Sequence, residues 1–226
     1  MQHVFQRIVD LRNGQTIGLE ALARFPKRTP LEELKVLYAR GEQALRDFDL
    51  RSMRMAIENT QNWLPKGCRL FVNLTHATVA AALAGQQLPE GPIWELAETS
   101  ATALVMAQPD AWNHLTKRVV LALDDVGEGS ADFSRLSAAV RYGAGWIKAA
   151  RSLVHGCADN PGQRAVLRAI AALGVPVIAE GTERANDLAA LGEAGIYLAQ
   201  GYALGRPLPV EAVRQKEWIF PVRLEK

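Results

Sequence analysis

Short apolar, β-rich runs alternate with longer helical patterns along the chain. "VFQRIVDL" (4–11) reads as a strand, "RNGQ" as a turn, and "TIGLEALARF" (16–25) as a returning strand. An Asn-Gly pair between two such runs is a strong hairpin signal. Thr29 and Pro30 open a helix, as a cap followed by proline at the first helical position. "EQALRDFDLRSMRMAIENTQNWL" (42–64) repeats apolar residues at helical spacing and predicts a long helix.

From residue 68 the alternation becomes regular. Strands are predicted at "CRLFVNL", "PIWEL", "RVVLALDDV", "GWIKA", "VPVIAEG" and "IYLAQGY". Helices are predicted between them at "HATVAAALAG", "PDAWNHLTK", "ADFSRLSAAVRYG", "NPGQRAVLRAIAALG" (with Gly174 as its C-terminal cap) and "RANDLAALGEAG". Such units argue for a parallel sheet with helices outside. About seven or eight of them favour a closed barrel. No Gly/Ser- or Pro-rich linker divides the chain, so one α/β domain over residues 1–226 is expected, with the N-terminal hairpin as a departure from a plain strand–helix start.

Composition narrows the class. The 226 residues are 49% hydrophobic and 22% charged, which fits a globular protein. A net charge of +2 without long charged blocks gives no sign of polymeric nucleic acid as a partner. Cys68 and Cys157 form no Cys-x-x-Cys spacing, and His3, His76, His114 and His155 share no spacing, so zinc is not indicated. There is no basic-then-apolar leader and no apolar run near the roughly 18 residues that span a bilayer. The expectation is a cytoplasmic protein without membrane insertion. Trp218, Ile219 and Phe220 in the tail are expected to cover the core.

The chemistry lies at the strand ends, where barrels carry their sites. Glu20 sits inside the apolar run "GLEALARF", and a charged residue is rarely buried without a partner. The later strands end in Asn73, Glu95, Asp124 and Asp125, Lys148, Glu180 and Gln200. Singly, each has an ordinary explanation as a cap or loop residue. Together they converge on one face. Converging carboxylates repel one another unless cations neutralise them. Glu20, Asn73, Glu95, Asp124, Asp125 and Glu180 offer hard oxygen ligands with no histidine or cysteine, a set suited to Mg2+ or Mn2+. Two such ions clamp the attacking and leaving oxygens of a phosphoester, with Lys148 as a point charge beside the phosphate or the water. The residues therefore point to a metal-dependent phosphoester hydrolase.

These residues also carry a resemblance. Glu20-Ala21-Leu22 with Arg24, "FVNL" (71–74), "WELAET" (94–99), "LDDVGEG" (123–129), "IKAAR" (147–151), "VIAEGTE" (177–183) and "QGYALGRPLP" (200–209) occur in one order. In that order they resemble the EAL domain, which hydrolyses the second messenger cyclic di-GMP. The resemblance implies a modified eight-stranded (β/α)8, or TIM, barrel with an irregular first strand. It implies one metal on Glu20, Asn73, Glu95 and Asp124, and a second on Asp124, Asp125 and Glu180. Lys148 would assist the water or the phosphate, while Gln6, the backbone at Leu22, Arg24 and Gln200 would hold the dinucleotide. The implied product is linear pGpG, and a homodimer is an assembly the resemblance allows.

The chain departs from the family pattern in places. Lys-x-Asp is here Lys148-Ala149-Ala150, Gln-Pro is Gln6-Arg7, and the acidic loop has Val126 and Glu128 where Phe and Thr are usual. The stretch between Arg24 and the long helix is short, which predicts a reduced wall of the substrate groove. Two readings stay open: an active phosphodiesterase, supported by the full ligand set and Lys148, and a catalytically silent cyclic di-GMP receptor, suggested by Ala150 and the altered loop. A scaffold that binds no nucleotide is disfavoured, because uncompensated carboxylates would destabilise it.

Overall fold

The computed structural model describes residues 1–128 and 133–215. The predicted tail residues Trp218, Ile219 and Phe220, Gly129 of the acidic loop, and positions 131 and 132 of the predicted helix lie outside the described residues.

The N-terminal hairpin forms as predicted. β1 (Gln2–Asp10) pairs antiparallel with β2 (Thr16–Arg24), and Gly14 takes a φ of 74° in the turn. From β2 the sheet runs parallel through β3 (Arg69–Asn73), β4 (Ile93–Ala97), β5 (Val120–Val126), β6 (Trp146–Ala149), β7 (Val177–Ala179) and β8 (Leu198–Ala199). β8 then pairs antiparallel with β1 through Val9↔Ala199 and closes an eight-stranded barrel. A two-residue strand, β9 (Leu208–Pro209), joins β1 beside Val4 and Phe5. The first strand therefore runs against all its neighbours, which is the irregularity expected at the N-terminus.

Helices wrap the outside: α1 (Pro30–Arg40), α2 (Glu42–Thr60), α3 (His76–Leu83), α4 (Glu98–Ala107), α5 (Pro109–Thr116), α6 (Phe133–Arg141), α7 (Arg151–Val154), α8 (Pro161–Ala171), α9 (Ala185–Glu193) and α10 (Val210–Arg214). Thr29 and Glu32 cap α1 reciprocally, with Pro30 at its start, as the sequence signals. The long helix α2 stops at Thr60 rather than running to Leu64. Helix α4 has no counterpart in the sequence reading. "ETSATALVMA" is small and apolar on most sides and lacks the polar stripe that marks a surface helix. Gly174, the expected cap, turns the chain at a φ of 82° just beyond the end of α8.

Two apolar layers result. One lies between barrel and helices and includes Leu19, Ala21, Val72, Trp94, Leu123 and Ile147. The other fills the barrel with Ile8, Phe71, Ile93, Ala122 and Ile178, joined by the half-buried Trp146 and Leu198. Gly18 makes room there, since a Cβ would lie 2.7 Å from the Phe71 ring. Strand side chains alternate between faces with a period of two. The residues two places beyond these interior positions on β3 to β8 are Asn73, Glu95, Asp124, Lys148, Glu180 and Gln200. They form the next layer up, at the C-terminal mouth.

Two contacts fix loops at that mouth. Asp49, buried in α2, accepts hydrogen bonds from the Thr75 amide (2.8 Å) and hydroxyl (2.7 Å), which pins the turn after Asn73. Gly201 packs directly against Thr182: an added Cβ would come within 2.2 Å of its amide nitrogen and 2.3 Å of its carbonyl oxygen. That approach lets Thr182 N–H donate to the Gln200 carbonyl at 3.1 Å, tying the loop after β7 to the loop after β8.

Two stability measurements follow from this frame. Gly201→Ala is expected to cost about 1–3 kcal/mol by forcing backbone apart, read as a lower urea midpoint; an unchanged midpoint would show that the loops do not need the contact. Burial pushes the His3 imidazole down to about 4 from 6.5, so it stays neutral in the fold against Ser52 (Nε2 to Oγ, 2.9 Å). The unfolded chain takes up a proton near pH 6.5 and the folded chain only near pH 4, so stability is lost as pH falls through that window. The loss is expected to reach about 3 kcal/mol. His3→Gln should flatten that part of the pH profile relative to wild type, and parallel profiles would refute the assignment.

Candidate active site: a carboxylate cluster around Lys148

The layer above the barrel core is charged. Lys148 is 1% exposed, and its Nζ lies 2.8 Å from Glu95 Oε1, 2.8 Å from Glu180 Oε1, 3.0 Å from Asp124 Oδ1 and 3.4 Å from Glu20 Oε1. Four strands, β2, β4, β5 and β6, and the residue just after β7 contribute to this one contact set. Asn73 donates to Glu20 Oε1 at 2.9 Å, and Gln200 donates to Glu20 Oε2 at 2.5 Å. Gln200 also donates to Gln6 Oε1 at 3.0 Å, and Gln6 donates to the Gly205 carbonyl at 3.0 Å. Glu20 is thus held at both oxygens. Gln6 and Gln200, expected beside the dinucleotide, form the chain that anchors Glu20.

Asp124 and Asp125 are consecutive, and in a regular strand they would face opposite ways. The β5–β6 register shifts between Leu123 and Val126, and Asp125 takes a φ of 56°. Aspartate tolerates that left-handed conformation better than most residues. The bulge lets both carboxylates serve one site. Asp124, Asp125 and Glu180 each present an oxygen, all within 4.8 Å of one another.

The electrostatics show a cluster short of positive charge. Burial pushes the Glu20 carboxyl up, but Lys148 and the hydrogen bonds from Gln200 and Asn73 outweigh it and hold Glu20 below its ordinary value. Among the described residues no amide donates to Glu95, and the pull of Lys148 is outweighed: burial, and then the charge on Glu20, push it well up. Glu180 is pushed up to about 8, by burial first and then by Asp124 and Glu20 against the pull of Lys148. Burial and the Asp124 charge raise Asp125 as well. Burial would lower Lys148, yet the surrounding carboxylates keep it well above its ordinary value and charged.

This donor set fits divalent cations. Among the described residues, the buried Glu95 Oε2 has no hydrogen-bond partner. The five carboxylates carry a formal charge of about −5 against about +1 for Lys148, and two divalent ions would close that gap. Oxygen-only donors exclude a soft-metal preference.

Two cavities meet at the cluster and share Glu20, Leu22, Asp124 and Asp125. One, of about 360 Å3, runs past Arg24 to an aromatic end formed by Phe25, Phe48 and the stacked pair Tyr38 and His76, whose ring centroids are 5.8 Å apart. Pro30, Leu34 and Tyr38 of the short segment after Arg24 wall it. The other, of about 600 Å3, is polar and is lined by Gln6, Lys148, Arg151, Glu180, Glu183, Gln200 and Tyr202. Every residue expected at the site borders this region except Glu95, which reaches it through Lys148. Arg151, Glu183 and Tyr202 lie inside the family-like stretches and His76 among the histidines weighed for zinc, but neither they nor Tyr38 carry a role in the sequence, because each sits on a helix or loop with no strand-end signal.

A barrel with an antiparallel first strand and an acidic mouth defines the class, and comparison with known proteins agrees. The EAL domain model matches residues 1–207, and the chain belongs to the EAL domain family. An uncharacterized signaling protein of Caulobacter vibrioides is 30% identical over 92% of this chain and 28% of its own length. The cyclic di-GMP phosphodiesterase RocR of Pseudomonas aeruginosa is 28% identical over 91% of this chain and 57% of its own. The chain thus spans only part of these relatives. Among solved structures, the PaMucR phosphodiesterase in complex with c-di-GMP superposes with a TM-score of 0.77 at 26% identity, covering 94% of this chain and 98% of that one. The Klebsiella pneumoniae BlrP1 manganese/cyclic di-GMP complex superposes at 0.73 with 26% identity, covering 92% of this chain and 56% of that one. Distant homologues are therefore cyclic di-GMP phosphodiesterases, and structures of related domains hold that nucleotide with manganese. Among the described residues, no helix is long and apolar enough to cross a membrane.

The cluster should depend on its lysine. Lys148→Met keeps the length of the side chain and removes the charge, leaving buried carboxylates uncompensated. The expected loss is about 3–5 kcal/mol, measured by urea denaturation in chelator-treated buffer. An unchanged midpoint would show that the carboxylates are neutralised some other way.

Proposed function

We propose that this chain is a single EAL-type domain over residues 1–226, a cytoplasmic phosphodiesterase that opens cyclic di-GMP to linear pGpG with Mg2+ or Mn2+. The observation that carries the reading is the set of four carboxylates around Lys148, with Asn73 on Glu20 and Asp125 beside Asp124 and Glu180, at the junction of two cavities. Glu20, Asn73, Glu95 and Asp124 would hold one ion; Asp124, Asp125 and Glu180 would hold the other. Bound there, such ions would neutralise phosphate charge and make a water easier to deprotonate at neutral pH.

The chain's own residues supply the rest. The two cavities suit the two halves of a cyclic dinucleotide, with one phosphodiester at their shared boundary. The aromatic end of the smaller cavity offers stacking surface for a base. Arg24, which lines that cavity, provides a positive charge for phosphate, and the Leu22 backbone borders both cavities. Lys148 stays protonated among its carboxylates, so it acts as a fixed charge near the phosphate or the water rather than as a base. Gln200 and Gln6 hold Glu20 and face the larger cavity, where they meet the nucleotide. Glu180 has the highest exposure of the four Lys148 partners and lines the same cavity, which supports the reading that, with a divalent ion beside it to hold it ionised, it would accept a proton from an attacking water.

The silent-receptor reading has one observation in its favour. Ala150, where the family carries aspartate, leaves α7 without a side-chain N-cap. That position lies outside the Lys148 contact set, so the cluster stands without it.

Incubation of the purified chain with cyclic di-GMP and Mg2+ or Mn2+ is expected to yield pGpG by chromatography, and Glu20→Ala to lower turnover at least about a hundredfold. Tight binding without product would establish the receptor reading instead. A Glu20→Ala variant with full activity would overturn the site.

A further inference from the structure

We infer that Arg151 is an anion-binding residue of the larger cavity, pairing with the phosphodiester of the dinucleotide that is not being cut, and that Glu183 holds it ready. The inference rests on the phosphodiesterase reading for the identity of its ligand. The substrate carries two phosphates, and only one can lie at the carboxylate cluster. The larger cavity is lined by Glu20, Asp124, Asp125, Glu180 and Glu183, a surface that repels an anion. Among the described residues two cations line it, Lys148 and Arg151. Lys148 is 1% exposed and committed to four carboxylates. Arg151 has its side chain 56% exposed and meets one half-exposed carboxylate, Glu183, at 3.3 Å. Among the described residues it is therefore the cation lining this cavity with donors to spare, as Arg24 is a lining cation of the smaller cavity.

The backbone is shaped for this arginine. Gly181, between Glu180 and Glu183, has a φ of 61°, and a Cβ there would lie 2.4 Å from Arg151 Cγ and 2.7 Å from both Cβ and Cδ. The absence of a side chain lets the arginine stem lie flat across the loop after β7. The stem is thereby confined before a ligand arrives, which reduces the ordering cost of binding. The guanidinium keeps a planar fork suited to a phosphate. Its contact with Glu183 is longer than a strong charged hydrogen bond and partly open to water, so an incoming phosphate can displace it.

Opposing variants test this. Titration of cyclic di-GMP by calorimetry, with Ca2+ in place of the Mg2+ or Mn2+ used for turnover, would be run on wild type, Arg151→Gln, Arg151→Lys and Glu183→Gln, with thermal melts of each. Arg151→Gln is expected to bind about ten- to a hundredfold more weakly, to show a shallower salt dependence than wild type, and to raise KM far more than it lowers kcat. Arg151→Lys should recover part of the affinity. Glu183→Gln, which frees the guanidinium, should bind about threefold more tightly. A merely structural role would lower the melting temperature of the Arg151 variants and of Glu183→Gln together, with no opposite movement in affinity. Wild-type affinity in Arg151→Gln, or weaker binding in Glu183→Gln, overturns the inference while leaving the phosphodiesterase reading intact. A wild type that binds no cyclic di-GMP overturns both.

Discussion

The buried ammonium of Lys148 among Glu20, Glu95, Asp124 and Glu180 is the constraint on which this molecule turns. Ionised carboxylates inside a protein cost several kcal/mol each unless paired, and like charges at close range add to that cost. The fold accepts both penalties at the mouth of its barrel. It offsets them with one cation, with two hydrogen bonds to Glu20, and with a shape that leaves oxygens free for divalent ions. The upward push on Glu95 and Glu180 marks an imbalance that a further cation would relieve.

The barrel makes this arrangement affordable in geometric terms. An apolar layer of Ile8, Phe71, Ile93, Ala122 and Ile178 fills the lower interior, so the polar layer has a rigid floor. One period of strand alternation separates the two layers. The antiparallel β1 brings Gln6 into the upper layer from the opposite direction, because its chain descends where the others rise. That reversal joins Gln6 to Gln200 and Glu20 in one hydrogen-bonded chain that spans the closing seam of the barrel. The irregular first strand is thus part of the site's support and not merely a topological variant.

The two cavities divide the work by polarity. The smaller ends in aromatic rings and the larger in charged and amide side chains, with the carboxylates between them. Loops set these walls, and the loops are fixed by a few buried contacts: Asp49 to Thr75, and Gly201 against Thr182. Site precision depends on such supports as much as on the ligating groups themselves.

By itself the sequence determined the alternating strands and helices, the hairpin, and the strand ends that carry Glu20, Asn73, Glu95, Asp124, Lys148, Glu180 and Gln200, because strand periodicity and turn chemistry are local properties. It did not reveal α4, whose small apolar residues lack an amphipathic pattern, nor β9, which is too short for any period to show. Only the tertiary structure decided that Asp125 joins Asp124 on one side, since that depends on a bulge against β6. Only it decided that Lys148 sits within four carboxylates and that Arg151 faces the larger cavity over Gly181. Those relations join residues from separate strands and loops, and a linear pattern records which residues stand at strand ends but not the distances between them once the barrel has closed.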